Sequence, residues 1–361
     1  MSTENITLYY RDQSSDKVYM AALEEQGGGF IVSFAFGRRG TTLQTGTKTA
    51  APVPLAAAKK IYDRLVNEKK AKGYTPGEDG TPYTHTDKEQ RATGLHCQLL
   101  NPVDDEALER LIEDASFWGQ EKKDGKRVLV RHESGTITGV NRKGLSIGLP
   151  APVEQYALKL GAAHGDFVVD GECIGERLHA FDLLSTVGND LRETGYGSRL
   201  DRLLALLGSG GAIVPVQTAR TATEKRSLCK TLRDELREGI VFKQHEAPYK
   251  AGRPSKGGSQ VKYKFYTTAS VLVSKVNTGK RSIAMDVLDG KARTGIGNVT
   301  IPPNATIPTP GAILDVRYLY AYRGGSLFQP TFLGVRSDLD MSACTASQLK
   351  YRAADEDDDD A

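Results

Sequence analysis

Gln120-Glu121-Lys122-Lys123-Asp124-Gly125-Lys126-Arg127 is the stretch on which the reading of this 361-residue chain turns. It follows an apolar pair, Phe117-Trp118, and closes on a glycine turn. A lysine set between a strand and a tight bend is oddly placed for a charge that only solubilises. Taken alone it is weak, because K-x-D-G occurs by chance on many solvated turns. Its weight comes from the pieces that follow in order: Asn141-Arg142-Lys143-Gly144, then Asp170-Gly171-Glu172 behind a strand, then Phe181-Asp182, then Glu238-Gly239-Ile240-Val241-Phe242-Lys243, then Lys262-Tyr263-Lys264.

Around these pieces the chain mixes helix and strand signals. Residues 106–114 predict a helix started by Asp104 or Asp105, and residues 128–131, 167–169 and 240–243 are short apolar strands. Leu200, Leu203, Leu204 and Leu207 mark a second helix, and residues 228–236 a third. Beyond Phe265 short alternating strands recur between turns at Gly279, Gly290 and Gly324, about five of them, the pattern of a small β-barrel. Toward the N-terminus, Thr7–Tyr10, Lys17–Met20 and Phe30–Phe36 alternate as an antiparallel sheet. A helix over 55–72 then places Leu55, Ala58, Ile61, Tyr62 and Leu65 on one face, with lysines on the other. The polar, Gly- and Pro-containing stretch from Thr75 to Gly94 reads as a linker that adds freedom between the parts.

Hydrophobic residues make up 39% and charged residues 26%, enough to build cores and too much to leave the chain disordered. No apolar run approaches the roughly 18 residues of a membrane span, and the N-terminus lacks a signal-peptide layout, so an intracellular protein with no membrane partner is expected. Four scattered cysteines with no CxxC exclude a disulfide framework and a structural zinc site. The net charge is +3, and the run Asp355-Glu356-Asp357-Asp358-Asp359-Asp360 carries −6 of it, leaving +9 on the rest. A basic body suits a polyanionic partner.

The ordered pieces, from about Cys97 to Asp338, resemble the covalent nucleotidyltransferase superfamily, and the ending Leu327-Phe328-Gln329-Pro330-Thr331-Phe332-Leu333-Gly334-Val335-Arg336-Ser337-Asp338 tilts the resemblance toward ATP-dependent DNA ligases. The resemblance implies an ATP-grasp-like adenylation domain followed by an OB-fold β-barrel. It implies Lys122 as the nucleophile that takes AMP from ATP, and Lys262, Lys264 and Arg336 as further catalytic residues. Glu121, Arg127, Arg142, Glu172, Phe181, Glu238, Lys243, Lys262 and Lys264 would contact the nucleotide, Phe181 by stacking on adenine and Arg336 by orienting the outer phosphates. Attack by an amine on phosphorus needs its neutral form, hence a lysine set near burial or other cations. Lys262 and Lys264, two apart on a strand, share a face and with Lys243 can neutralise phosphate oxygens. Glu172 and Glu238 supply carboxylates for Mg²⁺ or Mn²⁺.

Phe36-Gly37-Arg38-Arg39-Gly40-Thr41, with Gln44 to Thr49 and the basic helix, is similar to a WGR domain, Phe36 standing where that family carries its tryptophan. This resemblance implies DNA phosphate contacts through Arg38, Arg39 and Lys48. The expected chain is thus α+β and multidomain: a WGR-like sheet and helix over 1–76, a linker over 77–94, an adenylation domain over 95–266, an OB-fold domain over 267–342 and an acidic disordered tail over 343–361. The expected partner is nicked duplex DNA and the expected state a monomer. An RNA ligase, a GTP-dependent capping enzyme or an inactive nucleic-acid binder are the alternatives.

Overall fold

In the computed structural model, residues 4–11, 15–208, 210–290 and 292–352 are described. The N-terminal strands Glu4–Arg11, Asp16–Gln26, Gly29–Arg38 and Gln44–Thr47 pair in chain order as an antiparallel sheet. Strand alternation puts Tyr19, Ala21 and Leu23 on one face, where the helix Leu55–Ala71 buries Ala58, Tyr62, Leu65 and Val66 against them. Lys69 and Lys70 close that helix, a favourable end for its dipole.

The middle domain contains two sheets. The first runs Asn189–Asp190, Arg177–Thr186, Phe167–Ile174, Lys126–Glu133, Thr136–Asn141 and Ser146–Ile147, with Ile213–Pro215 added parallel to Arg177–Thr186. Helices Ala151–His164 and Tyr196–Leu207 pack over it around Val130, Phe167, Val169 and Leu203. The second runs Thr218–Ala219, Phe117–Glu121, Gly239–Gln244, Gln260–Lys264 and Asn101–Pro102, and is covered by helices Asp105–Glu113 and Ala222–Asp234. Asp104 caps the first of these helices by accepting from the Ala107 N–H at 2.9 Å. The decisive lysine therefore lies where the chain leaves the second sheet at Glu121 and enters the first at Lys126.

The stretch expected as a free linker is packed. Tyr83 is buried; its backbone N–H donates to Gly73 O at 3.2 Å and its O–H to Lys143 O at 3.0 Å, so one residue ties the first domain to the second. Arg91 donates to Ser146 O at 2.9 Å and Thr93 N–H to Gly144 O at 3.0 Å, continuing the seam. The reading missed this because a polar stretch satisfies its backbone on a neighbour as readily as on water.

The last domain is a five-stranded antiparallel sheet ordered Ala292–Thr300, Ser282–Asp289, Thr267–Val276, Ile313–Tyr318 and Thr331–Arg336. Bulges at Val273/Lys275, Ala284/Asp286 and Asp315/Val316 coil it. The expected closed barrel is not found: among the described residues no pairing joins the two outer strands. Its open side is filled instead by the ribbon Tyr320–Ala321 with Leu327–Phe328 and by the segment carrying Leu349, all packed on the same core. That segment also corrects the expected tail. Within 343–352, Cys344 is fully buried, Leu288 N–H donates to Cys344 O at 2.7 Å and Ala321 N–H to Lys350 O at 2.7 Å. The acidic run 355–360 lies outside the described residues. Among the described residues no helix is long and apolar enough to cross a membrane.

Candidate active site

At one corner of the second sheet three strands bring their charges together. Lys122 N–H donates to Gly239 O at 2.9 Å, and Gly239 sits opposite Lys264 in the next pair. This register places Glu238 between two lysines. One of its oxygens takes the Lys122 amine, the other the Lys264 amine at 2.6 Å. Glu238 is 6% exposed, so the shared carboxylate is held in the low-dielectric edge of the domain. The pairing depends on glycine at 239, since a Cβ there would stand 2.1 Å from Tyr263 O. Lys262, one alternation back on the same face, has its ammonium pushed down to about 8, first by burial and then by Lys122, Lys264, Arg253 and Arg142.

The facing wall comes from the first sheet. Arg127 grips Asp170 through two contacts of 2.6 Å, and Asp170, fully buried, also accepts from the Tyr249 hydroxyl at 2.9 Å. Glu172 lies opposite Arg127 in the strand pair. Its carboxyl makes no hydrogen bond or ion pair among the described residues, and burial pushes it up to about 7 against the pull of Arg127 and Lys122. The Phe181 ring carries Arg127 at 4.6 Å and Lys243 at 4.4 Å from its centre. Lys243 donates to Phe181 O at 3.0 Å, and burial lowers its amine to about 7. Lys122, Glu121, Arg127, Glu172, Phe181 and Lys243 line one cleft between the two sheets, with Gln120 and Gln260 at its floor.

The remaining expected site residues are engaged by neighbours or lie outside the cleft. Glu121 lines the cleft but holds Lys123 in an ion pair. Arg142 is exposed and lines a neighbouring cleft, toward the N-terminal domain. Arg336 is held on the last domain by Asp315 at 2.7 Å and by Asp338 in a two-pronged pair, away from the cleft lining. In the first domain Arg38 and Lys48 are exposed, while Arg39 turns onto Asp16 at 3.0 Å and over the Tyr9 ring at 4.7 Å. Phe36 is 39% exposed and stacks on Tyr19 with 6.0 Å between ring centres. Sequence reasoning passed over Asp170 although it quoted the residue; its signal was the carboxylate two positions before Glu172, pointing to the same face. Gln120 and Gln260 gave no signal, because a lone amide carries no pattern. Glu121 and Glu172 line the cleft, Glu238 stands beside it on Lys122, and among the described residues no three His, Cys, Asp or Glu gather into a metal-binding group.

A WGR domain family model matches residues 4–81. Residues 4–81 are thus similar to a WGR domain. The WGR domain is followed by a region similar to DNA ligases. A DNA ligase of Natronomonas pharaonis is 32% identical over 117 residues, which is 32% of this chain and 20% of that protein. A DNA ligase of Haloarcula marismortui is 27% identical over 161 residues, 44% of this chain and 29% of that protein. The matched regions thus span less than a third of the curated relatives. Among solved structures, a Lig E DNA ligase aligns with a TM-score of 0.51 and 18% identity, over 67% of this chain and 99% of that one, which is agreement of fold. The resemblance drawn from the sequence, a DNA ligase-like chain with a WGR domain in front, holds in both parts.

Proposed function

We propose that the chain is an ATP-dependent DNA ligase, with Lys122 as the residue that carries AMP. The observation that carries this reading is the lysine-carboxylate-lysine arrangement joined to the cleft through Lys122, with Lys122 and Lys264 on the two oxygens of Glu238. In the first step the Lys122 amine, freed from Glu238 and relieved of a proton, attacks the α-phosphorus of ATP. An N–P bond forms, the bond to the bridging oxygen breaks, and pyrophosphate leaves with the electron pair. AMP then passes to the 5′-phosphate at a nick, regenerating the amine, and the 3′-hydroxyl attacks that phosphorus and expels AMP. Each step moves negative charge on phosphorus, which Lys262, Lys264 and Arg127 are set to neutralise. Phe181 offers the adenine an aromatic wall, and Arg142 stands outside the cleft, toward the DNA.

Mg²⁺ fits this donor set. Glu172 is a half-buried carboxylate with no hydrogen-bond partner, and such an oxygen together with phosphate oxygens suits a hard cation that is bound through one or two carboxylates. Glu238 would join it once its lysines engage phosphate. The ion supplies charge neutralisation at the phosphates. Arg336 would reach the outer phosphates only after the last domain, read as an OB-fold, reorients. The enzyme would act as a monomer on nicked duplex DNA inside the cell.

The test is to mix the full chain with Mg²⁺ and ATP labelled on the α-phosphate, with GTP and NAD in parallel, then denature it and measure retained label. Label from ATP on the wild type and none on Lys122→Ala is the expected result, followed by sealing of nicked DNA. Label from GTP alone would replace the reading with a capping-type enzyme, and no label after removal of carried-over AMP would leave a DNA binder.

A further inference from the structure

Between the WGR domain and the middle domain lies a cleft of about 590 Å³ whose charged lining is of one sign. Lys72 comes from the end of the WGR helix, Arg142 and Lys143 from the turn after Thr136–Asn141, and Arg253 from the loop before Gln260–Lys264. No Asp or Glu lines it. Arg142 and Lys143 are exposed and make no side-chain hydrogen bond or ion pair among the described residues; Arg253 is tied only to a carbonyl and to the Asn101 amide oxygen. Lys72 is bound by Glu68 on its own helix, an exposed pair of little worth. Tyr83 fixes the geometry, since it is buried in the seam and hydrogen-bonded to both domains. The segments that carry the cations, the end of the WGR helix at Gly73 and the turn at Lys143, are thereby brought to one seam.

The cleft is also continuous with cations at both ends. On the WGR side Lys69, its amine lowered first by burial and then by Lys72 and Lys48 against the pull of Glu68, sits 4.2 Å over the Tyr19 ring, and Tyr19 stacks on the exposed Phe36. On the catalytic side Arg142 and Arg253 act on Lys262, which acts in turn with Lys122. Glu68 offsets part of the positive charge at the WGR end, whereas no carboxylate lines the cleft itself, where like charges cost stability that a polyanion restores.

We propose that this junction carries a phosphate backbone of duplex DNA, so that the DNA path leaves the catalytic corner through Arg142, Lys143 and Arg253 and passes onto the helix face of the WGR domain at Lys72, Lys69 and Lys48. This rests on the ligase reading for the identity of the polyanion. It shifts the WGR contribution from the turn at Arg38 and Arg39 to the end of the helix, beside Phe36. Arg39 is already engaged by Asp16 and Tyr9, which agrees with that shift.

The test uses the full chain and a fluorescein-labelled nicked duplex, followed by anisotropy over a salt series. Lys72→Glu combined with Lys143→Glu changes two exposed side chains, and Lys72→Gln with Lys143→Gln provides a version without new charge. Label retained from ATP without DNA reports that the nucleotide site remains intact. The expected result is at least tenfold weaker binding by the Glu pair, with the slope of log affinity against log salt reduced by about 1.8 for two lost phosphate contacts. Unchanged affinity and slope with intact labelling would overturn the path. So would a larger loss from Arg38→Glu than from the Lys72/Lys143 pair, or tighter binding of a nicked RNA duplex. If the wild type takes no label at all, the ligase reading fails while the anisotropy still decides the path.

Discussion

Lys243 sits beneath Phe181 with its amine 4.4 Å from that ring and 4.5 Å from the Tyr196 ring, and burial outweighs the pull of Asp182. Its amine falls from 10.5 to about 7. Between those values the unfolded chain holds a proton that the native chain lacks, so stability rises with pH across that window. The contribution is complete above 10.5 and is lost as pH falls through 7. Lys243→Met should flatten the slope of unfolding free energy against pH by up to about 1.4 kcal/mol per unit between pH 7 and 10. Urea unfolding of both proteins at several pH values checks this, and equal slopes would refute it. The sequence showed Lys243 as a cation among cations because its motif says nothing of depth. Lys122, Glu238 and Lys264 were quoted from their motifs as candidate site residues, and the fold brings the three together in one ion-pair cluster at the strand ends.

At the scale of elements, the helix Ala222–Asp234 shows what a charge pattern conceals. The sequence suggested a helix only over 228–236, although Thr221 and Glu224 form a capping box that was there to be read. The first turn contains Lys225, which the sequence reading did not single out. That lysine is fully buried, and its amine donates to Leu111 O at 2.9 Å, Asp114 O at 2.6 Å and Phe117 O at 2.9 Å. It thereby satisfies carbonyls at the end of Asp105–Glu113 and at the start of the strand leading to Lys122. Lys225→Met keeps the volume and strands these acceptors, so a loss of about 2 to 4 kcal/mol is expected, read from the urea midpoint at constant slope. A loss below about 0.5 kcal/mol would mean that water replaces the amine. The cross-strand register that joins Lys122 to Gly239 and Gly239 to Lys264 was not legible, because pairing across more than a hundred residues leaves no periodic trace in either strand.

The whole molecule holds its last domain against the catalytic corner. The Tyr320 hydroxyl donates to Asp124 at 2.6 Å, two residues beyond Lys122, and the Lys264 amine also donates to Gln329 at 3.2 Å. Lys350 adds a bond to Phe265 O at 3.0 Å. In this arrangement Arg336 is occupied by Asp315 and Asp338, so the proposed first step, which needs Arg336 near the triphosphate, requires the domain to undock. The changes of strand and helix pattern along the chain were legible, whereas these contacts were not, since docking is decided by single polar atoms brought together by the fold. Tyr320→Phe removes one bond to a carboxylate and leaves the ring stacked on Phe328 at 4.9 Å. With a partly exposed bond worth about 1 kcal/mol, the undocked population should rise about fivefold. The rate at which ATP labels Lys122 should then increase by up to that factor, while unfolding stability of the isolated domains stays the same. A slower rate in Tyr320→Phe would instead make the docked arrangement the productive one, with Asp124 held by Tyr320 as part of the nucleophile's loop.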